Sequence, residues 1–187
     1  MLNKCLHQVS SMRIVTSRTH WFIVFILLLR TKFGIEKWYL GKENFIPDIL
    51  HRVGIKNKPE KVFKALSTIN GLRHWWVIET TGDTKQGGII NFGFCDMKVV
   101  ESKSNKLVIW KCVRGPEDWI GTEVSFQLKY KDGQTFVIFK HANWKKPVEF
   151  MHHCSTKWAV FLLSLRDWLE RSEGRPSPYD MKIHVGD

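Results

Sequence analysis

The sequence predicts an α+β domain over residues 46–187, in which a curved antiparallel sheet of six to seven strands wraps around a long C-terminal helix. Five segments between Ile89 and Asn143 alternate apolar and polar residues and are separated by turn residues. Apolar residues from Val148 to Glu173 recur at steps of three and four, which is typical of one amphipathic helix. Nine Trp and twelve Phe in 187 residues indicate an interior built from large aromatic side chains.

The domain begins with a strand and two short helices. Ile49 to Ile55 alternates in the manner of a half-buried strand. Pro59 and Glu60 then suit the first turn of a helix, since Pro needs no amide donor there and Glu complements the positive helix end. We expect this helix to run past Ile69 and to end at Gly71, with a second short segment from Leu72 to Trp76.

The strands that follow are bounded by turn signals. Gly87 and Gly88 precede Ile89 to Cys95, in which Ile90, Phe92 and Phe94 should share one face. The remaining predicted strands are Asp96 to Lys103, Leu107 to Val113, Glu123 to Tyr130 and Phe136 to Asn143. Lys131, Asp132 and Gly133 predict a hairpin turn between the last two.

The last element is the long helix. Its predicted apolar face comprises Phe150, Cys154, Trp158, Phe161, Leu162, Leu165, Trp168 and Leu169. Gly174 and Pro176 are expected to end it. A helix this long and this apolar needs a wide surface to lie against, and a curved sheet provides one.

The net charge of +11 is divided between two regions. Residues 1–46 carry seven basic and two acidic residues, whereas residues 47–187 carry 22 basic and 16 acidic ones. The lysines of the domain are scattered, without an Arg-rich helix or a basic run. This pattern favours a solubilising surface, so no nucleic-acid partner is expected.

Residues 1–45 form an N-terminal extension with an apolar run at residues 21–29. Nine helical residues span only about 14 Å, well short of a bilayer core of about 30 Å. No small-residue cleavage site follows the run, which argues against a signal peptide. Three interpretations stay open: a weak membrane anchor, an apolar element that packs on the domain, or a stretch upstream of the native start.

The four cysteines, Cys5, Cys95, Cys112 and Cys154, form no CxxC pair. The last three lie in apolar stretches, which favours buried, reduced thiols and a cytoplasmic protein. No Gly-rich phosphate loop opens a helix, so no nucleotide or other cofactor is expected.

Several segments resemble a known family. They are Ile46–Ile49, Pro59–Val62, Gly71–Leu72 with Trp75–Trp76, Gly87–Gly88, Gly115–Glu117 with Trp119–Thr122, and Phe150–Trp158. Together they resemble bacterial proteins of the SRPBCC, or START-like, superfamily, within the set similar to the C-terminal domain of the activator of the ninety-kilodalton heat-shock protein ATPase. The resemblance covers about three quarters of the chain. It implies a helix-grip fold, a cavity between the sheet and the long helix for an apolar small molecule, and a chaperone as a second candidate partner.

Members of this set often begin with Met-Pro-Asp-Ile, and the position of that Met is Ile46 here. We therefore hypothesise that residues before Ile46 stem from an upstream reading of the gene, with natural initiation at a non-standard codon. The intact mass of the protein from its own source tests this, since a mass that includes residues 1–45 contradicts it.

The candidate site residues are aromatic or lie beside aromatic residues. They are Trp75, Trp76, Phe92, Trp110, Trp119, Phe126, His141, Trp144, His153, Cys154 and Trp158. Flat rings can shape a pocket for an apolar or aromatic ligand while indole N–H groups orient a polar atom. The alternative is that these rings simply fill the core.

Metal binding and nucleophilic catalysis are weaker interpretations. Adjacent helical residues point about 100° apart, so His152, His153 and Cys154 cannot all face one ion. A thiol on an apolar helical face is poorly suited to be a nucleophile.

The resemblance and these residues together leave three candidate functions, with no metal expected in any of them. The first is binding of an apolar or aromatic small molecule in the cavity. The second is a cyclase or dehydratase type of enzyme with His141 or His153 as general acid–base, which requires an ionisable side chain in the cavity. The third is a chaperone-associated module, which predicts a filled interior and an exposed patch.

Overall fold

A computed structural model describes residues 48–184 of the chain. The predictions for the N-terminal extension, including the apolar run at residues 21–29 and the position of the native start, concern residues outside this range.

Seven strands form one antiparallel sheet. They are β1 (Ile49–Ile55), β2 (Thr81–Gly82), β3 (Ile89–Asn91), β4 (Asp96–Lys103), β5 (Leu107–Arg114), β6 (Glu123–Lys131) and β7 (Gln134–Ala142). Their order across the sheet is β1-β7-β6-β5-β4-β3-β2. The first strand therefore pairs with the last, which brings the start of the domain beside its longest hairpin. The predicted helix-grip fold, with its curved sheet, is confirmed.

The β6–β7 hairpin sets the register of the inner face. Asp132 and Gly133 have positive φ angles of 51° and 75°, as a tight hairpin turn requires. Phe126 then pairs with Phe139, and Val124 pairs with His141. These four side chains are buried, so His141 enters the core at the end of the hairpin away from the turn.

Two short helices, α1 (Pro59–Ser67) and α2 (Ile69–Trp75), follow β1. The prediction that Gly71 ends the first helix is wrong. Thr68 breaks the helix instead, and its side-chain oxygen caps α2 by accepting from the Gly71 amide. Gly71 is needed because a Cβ there would lie 2.6 Å from the carbonyl oxygen of Ala65. The glycine therefore allows close packing of the two helices.

The strand predicted from Ile89 to Cys95 is shorter than expected. It ends at Asn91, and Gly93 turns the chain with a φ of +81°. Phe94 consequently leaves the inner face and is half exposed, whereas Phe92 stays buried. The turn places the Phe94 ring beside Trp119, with their centroids 5.7 Å apart.

The long helix α3 (Phe150–Arg171) has 22 residues, which corresponds to about 33 Å. It ends when Ser172 adopts the left-handed conformation. The chain then folds back: the Ser177 amide donates to the Trp76 carbonyl at 2.7 Å. This hydrogen bond holds the tail after α3, residues 173–184, against the end of α2.

Across residues 48–184, no helix combines the length and the apolar character that a membrane crossing requires.

We predict that Gly71→Ala lowers the free energy of unfolding by about 2 kcal/mol, because the new methyl group collides with backbone atoms that cannot move aside. Asn70→Ala, at the exposed neighbouring position of the same helix, is the matched control and should be nearly neutral. Urea unfolding of both variants measures the difference. Equal stability of the two would contradict the close packing of α1 and α2.

Candidate functional site

Aromatic rings in mutual contact fill most of the space between the sheet and α3. The Trp76 ring, at the end of α2, lies 4.0 Å from Phe92, 4.8 Å from Trp158 and 5.7 Å from Trp110 between centroids. The Trp110 ring in turn meets Phe126 at 4.9 Å. Ring contacts at these distances are ordinary aromatic packing, so this part of the interior has no room for a ligand.

Ten of the eleven candidate residues are buried, and His153 is half-buried. The buried ones are Trp75, Trp76, Phe92, Trp110, Trp119, Phe126, His141, Trp144, Cys154 and Trp158. Burial alone does not separate a ligand-lining residue from a core residue, so the local contacts decide between the two roles.

His141 is held by a chain of hydrogen bonds in the core. Trp158 donates its indole N–H to His141 Nδ1 at 3.2 Å, and an indole nitrogen can only donate. Nδ1 must therefore be unprotonated, and Nε2 carries the proton and donates to Thr122 Oγ1 at 2.8 Å. The Thr122 hydroxyl in turn donates a hydrogen bond to the Trp119 carbonyl at 2.7 Å. Both ring nitrogens are thus engaged within the protein.

Burial lowers the pKa of His141 to about 3. The imidazole is therefore neutral at physiological pH, and neither nitrogen faces a ligand. An acid–base role for His141 finds no support in this arrangement.

A cavity of about 210 Å³ lies beside the filled region, between the first half of α3, the end of α2 and the loops around Phe94 and Pro116. Its walls are mainly apolar. The lining residues are Trp76, Val77, Phe94, Pro116, Trp119, Phe150, His153, Cys154, Lys157, Trp158, Phe161 and Ser177. The cavity is partly open to solvent.

Five candidate residues line this cavity: Trp76, Trp119, His153, Cys154 and Trp158. The other six lie in the packed core. Sequence reasoning missed several lining residues, and the helical ones could have been found, because Phe150, Lys157 and Phe161 follow the same three- and four-residue spacing as Cys154 and Trp158. Val77, Pro116 and Ser177 come from turns and the tail, where periodicity gives no signal. The alternation at Phe94 was misleading, because the strand ends before this residue.

The Cys154 sulfur accepts a hydrogen bond and is poorly suited to act as a nucleophile. Trp119 donates its indole N–H to the Cys154 sulfur at 3.2 Å. Burial raises the pKa of this thiol to about 11, so the reactive thiolate is scarce near neutral pH. The geometry makes Cys154 a polarizable part of the cavity wall.

His153 lines both the cavity and an open groove between the start of α3 and residues 183–184. Its ring stacks on Phe150 at 5.4 Å, and its Nδ1 lies 2.9 Å from Nε2 of His184 in the tail. Within the described residues, no group of three His, Cys, Asp or Glu side chains is placed to hold a metal ion.

An ion pair lies at the edge of the cavity. Lys157 Nζ is 2.7 Å from Asp180 Oδ2, and the Asp180 side chain is only 2% exposed. Lys157 lies on α3 and Asp180 on the tail, so the pair also holds the tail against the helix.

Residues 56–170 match the protein family described as Activator of Hsp90 ATPase homolog 1-like protein. No curated protein matches the chain.

Among solved structures, the solution structure of the Aha1 dimer from Colwellia psychrerythraea is 47% identical, covering 69% of this chain and all of that one, with a TM-score of 0.64. CalU16 from Micromonospora echinospora is 20% identical over 70% of this chain and 77% of its own, with a TM-score of 0.59. Protein SSP2350 from Staphylococcus saprophyticus is 17% identical over 70% and 98%, with a TM-score of 0.60. The last two similarities concern the fold alone.

We predict that His141 makes the folded state sensitive to acid. Its pKa is about 3 when folded against 6.5 when unfolded, so the unfolded state binds the extra proton as the pH falls between these values. The free energy of unfolding is therefore unaffected by this proton above about pH 6.5, and it falls by about 2 kcal/mol by about pH 5.

Urea unfolding at about pH 7 and pH 5 measures this loss in the unmodified protein and in His141→Gln. The variant lacks the titrating ring and should lose correspondingly less stability. His152→Gln, at an exposed position of α3, is the control and should behave like the unmodified protein. Parallel pH profiles for the unmodified protein and His141→Gln would contradict the prediction.

Proposed function

The chain belongs to the Activator of Hsp90 ATPase homolog 1-like family, and from this premise we propose that its domain binds a small apolar or aromatic molecule in the cavity beside α3. The cavity itself carries this proposal. At about 210 Å³ it is larger than the roughly 150 Å³ space known to admit benzene, and smaller than pockets for drug-sized ligands.

The walls of the cavity support an apolar ligand. Trp119 and Trp158 are stacked 6.2 Å apart at an angle of 13°, and together with Phe161 they supply aromatic surface. The Trp119 indole N–H is already used by Cys154. Binding would therefore depend on ring contacts and apolar burial more than on hydrogen bonds from the indoles.

We also propose that the protein is cytoplasmic. Cys95, Cys112 and Cys154 are buried free thiols, which suits a reducing compartment.

Native mass spectrometry of the protein from its own source tests for a natural ligand. Gentle purification followed by extraction should release a reproducible compound of one or two rings. Protein purified without any bound compound would favour the second candidate function, interaction with a chaperone.

We predict that isopropylbenzene binds in the cavity with a dissociation constant on the order of 0.1 to 1 mM. In an NMR titration the indole N–H signal of Trp119 should move, because this ring lines the cavity. The indole N–H of Trp144 donates to the His141 carbonyl in the core and serves as the internal reference.

Val77→Phe should weaken this binding at least about tenfold, because the larger side chain occupies the cavity. Leu163→Phe is the matched control, since Leu163 lies on the exposed side of α3. Thermal melting confirms that each variant is folded. Absence of binding to the unmodified protein, or equal binding to both variants, would overturn the proposed function.

A second candidate function is interaction with a chaperone of the Hsp90 type. The family description and the 47% identical relative named as Aha1 favour it, as does an interior largely filled by aromatic rings. Such a role would use the outer surface and not the cavity.

We predict under this second function that the full chain raises the ATP hydrolysis rate of Hsp90 from the same source several-fold, and that Val77→Phe raises it equally. A coupled assay of ATP turnover measures both. No stimulation would argue against a chaperone role, and stimulation lost with Val77→Phe would link the two functions.

A further inference from the structure

One face of α3 forms a continuous wall of the cavity. Positions 150, 153, 154, 157, 158 and 161 follow each other at steps of three and one, so their side chains stand on the same side of the helix. Lys157 interrupts this wall with a charge. Among the described residues that line the cavity, it is the only Lys or Arg, and Asp and Glu are not represented.

The buried carboxylate of Asp180 balances the positive charge of Lys157. Asp180 is almost completely buried, with its side chain 2% exposed against 21% for Lys157. A carboxylate in such a position is strongly unfavourable unless a cation accompanies it. The pair therefore presents a wall that is close to neutral overall, although it holds a strong hydrogen-bond donor.

The consequences for a ligand differ with its charge. A ligand carboxylate beside Lys157 would bring a second negative charge close to Asp180, with one ammonium to serve both. A neutral ligand oxygen, such as a carbonyl, brings no charge and needs only one hydrogen-bond donor. The ammonium has three N–H groups, and the bond to Asp180 uses one.

We propose that the cavity selects a neutral, single-ring aromatic molecule with one hydrogen-bond acceptor, such as a ketone, and discriminates against a carboxylate of the same size. This inference rests on the proposed function in ligand binding. Lys157 supplies the donor, and Asp180 sets the preference for a neutral group.

Three probes of equal size test the selection: isopropylbenzene, acetophenone and benzoate, which have the same number of non-hydrogen atoms. In NMR titrations of the full chain, followed at the Trp119 indole N–H, acetophenone should bind about tenfold more tightly than isopropylbenzene, because it gains a hydrogen bond to a charged donor. Benzoate should bind most weakly.

Asp180→Asn should reverse the preference. It removes the competing charge and leaves Lys157 as an uncompensated cation, so the affinity for benzoate should rise at least about tenfold and exceed that for acetophenone. Asp48→Asn is the matched control. It removes the same charge from another Lys–Asp pair, since Asp48 lies 2.6 Å from Lys140 at a more exposed position, and it should leave the order of the probes unchanged.

The outcomes separate the two proposals. If none of the three probes binds, the proposed function fails. If isopropylbenzene and acetophenone bind but benzoate binds as tightly as acetophenone, the proposed function stands and the selection by charge is overturned. This comparison uses the unmodified protein, so it decides the matter even if Asp180→Asn does not fold. If the variant folds and keeps the original order, the role assigned to Asp180 is wrong.

Discussion

The packing of Trp76 is the contact on which the rest of the domain depends. Its ring touches Phe92, Trp110 and Trp158, and so joins α2, the sheet and α3 at one point. Its carbonyl accepts the amide of Ser177, which brings the tail back against the helices. Because the same residue closes the core and positions the tail, the cavity beside α3 exists only when both are in place. The size of that cavity is therefore set by the packing of the core together with the position of the tail.

Polar groups inside the domain are arranged to satisfy one another. Four indole N–H groups have acceptors inside the protein. Trp75 and Trp144 donate to backbone carbonyls, Trp119 donates to a thiol, and Trp158 donates to an imidazole. Such internal pairing is what buried donors require, and it leaves these groups little chemistry to offer a ligand. The ion pair of Lys157 and Asp180 is different, because it stands where the tail meets the cavity. Specificity is thus expected to come from the tail and α3 and not from the aromatic core.

The sequence predicted the fold well because alternation and helical spacing are strong signals, most clearly in β6, β7 and α3. It failed where a close backbone contact or a left-handed residue decides the local structure, because apolar spacing shows neither. Gly71 looked like the end of a helix, yet it is a point of close contact with Ala65. Phe94 continued an apolar alternation, yet Gly93 turns the chain before it. The candidate site was predicted only in part, since aromatic residue type does not distinguish the core from the cavity. The balance between Lys157 and Asp180, 23 residues apart, depends on how the tail folds back.

The most direct test of ligand binding in the cavity is a crystal structure of the full chain soaked with bromobenzene, in which anomalous scattering locates the bromine. We expect a peak in the space bounded by Trp119, Trp158 and Phe161, with the rings of Trp76 and Trp110 unmoved. An empty cavity under conditions that saturate binding in solution, or a peak between the sheet and α3 with the core rings displaced, would contradict it.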